Sequence, residues 1–287
     1  MPGRKSSKRR SLKSGRPPLA RMPASMSRKT SSSTVRTFHQ LRKQLARAVD
    51  QGREQEAEDL DGRIENQGGL NRYQVASMQG QARDRGGDSS ITLMGWLKEL
   101  TSDAKSAGQR LRMLEVGALS TRNACSKSGR LNITRIDLHS QDPDILQQDF
   151  MKRPVPEDTS QQFDIISLSL VLNFVSLDAE RGEMLKRTCH FLDKSPKQET
   201  PRSWKSALPA LFLVLPAACV INSRYLSEQR LTNMAESLGY VPFRRKQTSK
   251  LVYYLWTWSG IPKPATFAKK QINKGTRMNN FCVVLNG

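Results

Sequence analysis

The sequence is poor in the residues from which many catalytic centres are built, with 4 cysteines and 3 histidines among 287 residues. Cys125, Cys189, Cys219 and Cys282 stand 30 or more residues apart. That spacing excludes the paired ligands of zinc-finger or Cys-x-x-Cys chemistry, so no metal is expected and the thiols read as reduced core residues of an intracellular protein. His39, His139 and His190 lie in no hydrolase motif; His139, just after Asp137, can line a site there but also reads as a loop residue. Apolar runs long enough to cross a membrane are missing too, because Asp164, Ser167, Asn173 and Pro216 interrupt the two longest, 163–175 and 208–221. No apolar stretch follows the first charges, which argues against a secretory signal.

Acidic residues are absent from both ends. The first is Asp50 and the last Glu236; 14 Lys or Arg precede the one and 9 follow the other, leaving 24 basic against 26 acidic residues between them. The net charge of +21 therefore resides in the terminal segments. Residues 1–34 are Ser, Pro, Lys and Arg with few large apolar side chains, a composition that cannot offset the entropy of ordering, so a disordered basic tail is expected. Arg4-Lys5 and Lys8-Arg9-Arg10 suit a nuclear or nucleolar address, a nucleic-acid arm, or both. A mitochondrial presequence competes, but these clusters do not fall on one face of an amphipathic helix. Near the other end Arg244-Arg245-Lys246 and later lysines interleave with Tyr253, Tyr254, Trp256 and Trp258. Such a mixture suits a surface that tracks phosphates and stacks bases, or equally a core with a solvated basic rim.

Between these ends the pattern is α/β. Residues 35–105 predict a helical extension, with helices over 36–49, 53–65 and 93–100, and residues 106–287 the main domain. Leu111-Arg112-Met113-Leu114-Glu115-Val116-Gly117 is an apolar run ending in an acid and a glycine; Ile133-Thr134-Arg135-Ile136-Asp137, twenty residues after the glycine, ends in an acid. This is the spacing of the first two strands of a nucleotide-binding unit, where the glycine admits a ligand close to the backbone and the acid accepts ribose hydroxyls. The turn Gly117-Ala118-Leu119-Ser120-Thr121 lacks the three spaced glycines that seat a pyrophosphate. S-adenosylmethionine, which has no phosphate, fits it better than a dinucleotide, with Glu115 ordering the turn or meeting the amino-acid end. A plain βαβ core without a cofactor also fits this pair of residues.

Leu146-Gln147-Gln148-Asp149-Phe150 predicts a short third strand, where Asp149 can accept from an adenine amino group while Phe150 packs on the ring. Asp149 also suits an ordinary capping or loop acid. The run from Phe163 to Phe174 predicts a buried central strand, whose carboxyl end borders the ligand crevice of an open α/β sheet. Helices over 178–192 and 226–238 flank a strand at 210–215, and Leu251–Trp256 with Phe281–Leu285 predict a closing antiparallel hairpin. Seven strands in this order suit a class I methyltransferase sheet. The Gly86-Gly87-Asp88-Ser89-Ser90 segment reads as a loop able to cap the following helix through Asp88 or Ser89.

Taken together, Tyr73-Gln74-x-Ala76-Ser77-x-x-Gly80-Gln81, Arg85-Gly86-Gly87-Asp88-Ser89-Ser90, Leu114-Glu115-Val116-Gly117, Arg135-Ile136-Asp137-Leu138, Gln148-Asp149-Phe150 and Asp164 to Val175 resemble the fungal nucleolar 25S rRNA adenine-N(1) methyltransferases. The resemblance covers roughly residues 35–287 and implies S-adenosylmethionine as cofactor, with Gly117 and Asp137 among its contacts. It also implies large-subunit rRNA in a pre-ribosomal particle as partner and a nucleolar location. An animal family with the same cofactor fold senses S-adenosylmethionine without catalysis, so the fold alone leaves a regulator open, as it does a nuclear RNA methyltransferase with another target atom. The unopposed basic ends favour an RNA substrate. Adenine N1 lies on the Watson–Crick edge, so the target must be unpaired or flipped out. Asn173, Phe174 and Tyr73 are the candidates for holding it, each with a core-packing alternative. No Asn-Pro-Pro-Tyr signature of adenine-N6 chemistry follows the fourth strand.

Overall fold

The four long apolar runs between Leu111 and Pro216 become parallel strands: β1 (Leu111–Val116), β2 (Leu131–Asp137), β4 (Ile165–Ser169) and β5 (Ala210–Pro216). The structure is a computed structural model that describes residues 27–69, 72, 75–76, 87–100, 110–140, 142–195 and 207–286. A two-residue β3 (Leu146–Gln147) pairs parallel with β2, and β6 (Tyr240–Gln247) and β7 (Leu251–Trp258) add antiparallel. The sheet order is β3-β2-β1-β4-β5-β7-β6, that of a class I methyltransferase. The order in which the chain adds strands reverses between the parallel β1 and β4, the point at which open α/β sheets bind ligands.

Successive strand residues face opposite sides, and both sides are covered. Met113, Ile165, Phe212, Val214 and Leu255 pack under Leu93 and Leu97 of helix α3 (Ser90–Leu100). Leu114, Ile166, Leu211, Leu213 and Trp256 face the other way, against Met184 and Leu185 of α5 (Asp178–Phe191) and Leu231 and Met234 of α7 (Glu228–Ser237). Ser227 caps α7 by accepting from the Arg230 backbone N–H, and Gly239 at φ 96° turns the chain out of it into β6. Short helices α4 (Ala124–Lys127) and α6 (Ala218–Ile221) complete the crossovers. Ahead of the sheet, α1 (Arg28–Asp50) and α2 (Glu54–Asn66) pair through Leu41, Ala48, Leu60 and Ile64.

Four expectations are corrected. Helix α1 begins at Arg28, so residues 28–34 are helical rather than tail; Ser27 Oγ accepts from the Thr30 backbone N–H and starts the helix. The closing hairpin is β6–β7, not a pairing with Phe281–Leu285. Tyr240-Val241-Pro242-Phe243-Arg244-Arg245-Lys246-Gln247 hides its strand character because edge strands carry basic residues and proline that would disfavour a central position. The 281–285 segment instead lies along α5, with the Val284 N–H donating to Asp178 O at 2.9 Å and Cys282, Val283 and Leu285 buried. Third, the aromatic residues near the end follow the core alternative rather than the base-stacking one: Tyr253, Tyr254 and Trp256 are buried, Trp258 is half-buried, and the Tyr254 and Trp256 rings stack on one another at 5.2 Å. Fourth, Phe150 is buried against Phe191 with the Arg187 guanidinium over its ring, which leaves no face for an adenine.

Candidate functional site

Parallel register brings the predicted residues to one edge of the sheet. Val116 aligns with Ile136 on one side and Leu168 on the other, so Gly117, Asp137 and Ser169, one residue further along, share a level at the switch point. Gly117 sits at φ 73°, a left-handed conformation that side-chain-bearing residues rarely adopt, and a Cβ there would meet Val171 Cγ2 at 2.6 Å. The N–H groups of Gly117 and Ala118 both donate to Ile136 O, at 2.8 and 3.1 Å, pinning the turn to β2. The result is a backbone cradle that a side chain would fill.

Asp137 closes β2. One of its carboxylate oxygens accepts the His139 backbone N–H at 2.9 Å, which fixes the side chain at the strand tip, while His139 itself is exposed. Asp149 ends the segment after β3 and accepts the Met151 N–H at 2.8 Å within a turn, as the loop-acid alternative expects.

Glu115 is nearly buried and works on the turn. One oxygen accepts from Asn123 Nδ2 at 2.7 Å, and Asn123 in turn caps α4 by accepting the Ser126 N–H at 2.9 Å. The other oxygen forms an ion pair with Arg135 Nε at 3.6 Å, beyond hydrogen-bond length, and accepts no hydrogen bond among the described residues. Burial pushes the carboxyl up to about 7, outweighing the pull of Arg135 and the Asn123 hydrogen bond in the other direction. Glu115 thus couples the first crossover to β2 through Asn123 and Arg135.

Two further elements converge here. The Asp88 carboxylate caps two helices at once, accepting from the Ser90 N–H at 2.9 Å at the start of α3 and from the Ala124 N–H at 2.6 Å at the start of α4. Ser89 Oγ bonds Ser169 Oγ at 2.7 Å, so the glycine-rich loop is tied to the end of β4. After β4 the chain turns through Leu170 at φ 57°, a non-glycine residue in the left-handed region, held by its N–H on Val214 O at 2.9 Å. Val171 then packs on Gly117, and Asn173 and Phe174 follow in the same turn, closed by the Phe174 N–H on Val171 O at 2.8 Å. Arg181 holds the exit of this loop, donating to Val175 O at 2.9 Å, Ser176 O at 3.1 Å and Cys282 O at 2.6 Å.

The family described as 25S rRNA (adenine(2142)-N(1))-methyltransferase, Bmt2, matches residues 58–283. The chain belongs to this family. A Schizosaccharomyces pombe protein named 25S rRNA adenine-N(1) methyltransferase is 37% identical over 255 residues, covering 87% of this chain and 89% of its own length. A Saccharomyces cerevisiae protein named 25S rRNA (adenine(2142)-N(1))-methyltransferase is 37% identical over 225 residues, 77% of this chain and 61% of the yeast protein. The chain thus spans about three fifths of that relative's length. Among solved structures, magnesium protoporphyrin IX methyltransferase from Synechocystis with bound SAM aligns with TM-score 0.38 at 12% identity, over 57% of this chain and 78% of its own.

The span matched to the family contains every candidate residue, though Tyr73 lies outside the described residues. Gly117, Glu115, Asp137, Asp149, Asn173 and Phe174 are brought to the carboxyl edge of the sheet, and Phe150 is not. Sequence reasoning missed Asp88 as a cap for α4, Asn123 as the partner of Glu115, and the left-handed Leu170. Asn123 four residues before a Lys is a readable helix start, but nothing in a Leu-Val-Leu-Asn run signals a left-handed leucine. Among the described residues no cluster of His, Cys, Asp or Glu could hold a metal ion, and no helix is long and apolar enough to cross a membrane.

Proposed function

We propose that this chain transfers a methyl group from S-adenosylmethionine to N1 of an adenosine in large-subunit ribosomal RNA. The observation that carries the reading is the Gly117 cradle, left-handed and walled by Val171, beside the Asp137 carboxylate at the switch point of a chain in an rRNA adenine-N1 methyltransferase family. The cradle fits the cofactor, and the buried Glu115 carboxylate, ion-paired with Arg135, orders the turn behind it. Gly117 and Ala118 would lie along its backbone side, Asp137 would accept its ribose hydroxyls, and Asp149 would border its base.

When bound, S-adenosylmethionine supplies a sulfonium methyl that neutral adenine N1 can take on its own lone pair, leaving a cationic base. No general base is needed before the new bond forms. The chain's task is alignment and exclusion of water. The Leu170–Phe174 turn supplies alignment: its backbone is fixed to β5 by Leu170 and to Gly117 by Val171, so whatever it holds keeps a set distance from the cofactor cradle. The exposed Arg244, Arg245 and Lys246 on β6, with the N-terminal basic residues, would carry RNA phosphates. We read the pre-ribosomal particle as the physiological partner and the nucleolus as the site of action, on the strength of that charge and of the substrate.

Incubating the purified chain with labelled S-adenosylmethionine and a large-subunit rRNA fragment tests this. Label should appear on adenine N1, where it blocks reverse transcription. A chain that binds the cofactor with normal affinity yet transfers nothing to RNA would be a sensor and would overturn the proposal.

A further inference from the structure

We propose that Asn173 selects adenine, its side-chain oxygen accepting a hydrogen bond from the exocyclic 6-amino group of the target base. The inference rests on the methyl-transfer reading above and names the residue that would make it adenine-specific. Asn173 Oδ1 is buried and has no hydrogen-bond partner among the described residues. A buried acceptor left without a donor is costly, and native structures rarely keep one without a use. The oxygen belongs to the turn after β4, two residues from the Val171 side chain that packs on the Gly117 cradle. That turn is held in a strained shape by Leu170 at φ 57°, by the Phe174 N–H on Val171 O, and by Arg181 at its exit.

The chemistry of the base edge favours an acceptor at this point. A donor aimed at the Watson–Crick edge of adenine would occupy the N1 lone pair and suppress the reaction. An acceptor pairs with the amino hydrogen next to N1 and leaves the lone pair free. Guanine offers a carbonyl at that position and a proton on N1, so it would meet Asn173 with two acceptors face to face and no nucleophile. A site built to pair with a substrate N–H rejects analogues lacking it more strongly than a hydrophobic pocket rejects a missing methylene.

The test compares two RNA fragments, one with adenosine and one with purine riboside at the target position; purine riboside keeps the N1 lone pair and lacks the amino group. Wild-type kcat/KM should be lower on purine riboside by roughly 10- to 100-fold, the range of one lost hydrogen bond in a buried site. Asn173→Ala should lower kcat/KM on adenosine by a similar factor and leave that on purine riboside unchanged, while calorimetric affinity for S-adenosylmethionine stays at the wild-type value. Equal losses on both fragments with intact cofactor affinity would mean that Asn173 only shapes the turn, and would overturn the assignment. Should Asn173→Ala not fold, the wild-type protein decides alone: use of N6,N6-dimethyladenosine, which has no amino hydrogen, as readily as adenosine would overturn it. Failure of the wild type to methylate adenosine at all would instead remove the methyl-transfer reading, and this inference with it.

Discussion

Gly117→Ala puts the cofactor cradle under the most specific strain. At φ 73° an alanine costs roughly 1–2 kcal/mol in backbone energy alone. Its methyl would stand 2.6 Å from Val171 Cγ2. Carbon atoms prefer separations of about 3.5–4.0 Å, so the wall must retreat by about 1 Å. Val171 is anchored through Leu170 to β5 and through Phe174 to its own turn, so the retreat displaces the loop that carries Asn173 rather than a loose side chain. Overpacking of this kind costs about 1–3 kcal/mol, giving a total near 3 kcal/mol, within what a folded domain tolerates. A 1 Å displacement beside the reacting atoms can cost on the order of 100-fold in rate. Guanidinium denaturation and single-turnover methyl transfer read the two effects separately. Adding Val171→Ala should restore the steric part of both and leave the backbone part in stability. If Gly117→Ala equals the wild type in stability and rate, or if Val171→Ala restores nothing, the cradle has been misassigned.

Three further outcomes follow from named contacts. Glu115 holds its proton up to about pH 7 in the folded chain, whereas an unfolded glutamate releases it near its ordinary value of 4.5. Between those values the unfolded state sheds a proton that the folded state keeps, so stability should fall as pH rises from 5 to 8, by on the order of 2–3 kcal/mol; Glu115→Gln should flatten that trend in urea midpoints. Gly182→Ala would drive a methyl into the Val284 carbonyl oxygen, against a segment whose Val284 N–H is bonded to Asp178 O; a loss of about 3 kcal/mol, or roughly 10 °C in melting temperature, is expected by calorimetry, and a neutral result would show that the C-terminal segment is loosely held. Replacing Arg244, Arg245 and Lys246 by Gln should reduce the dependence of log affinity for single-stranded rRNA on log salt by up to about 2, at about 0.7 per phosphate contact, and an unchanged slope would place the RNA elsewhere.

The central parallel strands and the cofactor edge were legible because buried strands are written as continuous apolar runs and register then carries Gly117, Asp137 and Ser169 to one level. Periodicity failed where a residue's neighbours decide its role. Arg244, Arg245 and Lys246 read as surface charge, and only the pairing with β7 shows that they belong to a strand, β6, at the exposed edge of the sheet. Phe281 to Leu285 has the composition of a strand, yet Cys282, Val283 and Leu285 are buried along α5, where Gly182 leaves room for the Val284 carbonyl. Phe150 next to Asp149 looked like a base-stacking pair, but a side chain one residue past a strand-end acid falls on the opposite side and enters the core. The tie from Asp88 to Ala124, 36 residues away in sequence, has no local pattern at all.

The most direct measurement is a map of N1-methyladenosine in large-subunit rRNA from cells with and without this protein, read as stops in reverse transcription. One adenosine should lose its stop when the protein is absent, recover it with the wild-type chain, and fail to recover it with Asp137→Ala. A stop pattern unchanged by loss of the protein would contradict the account.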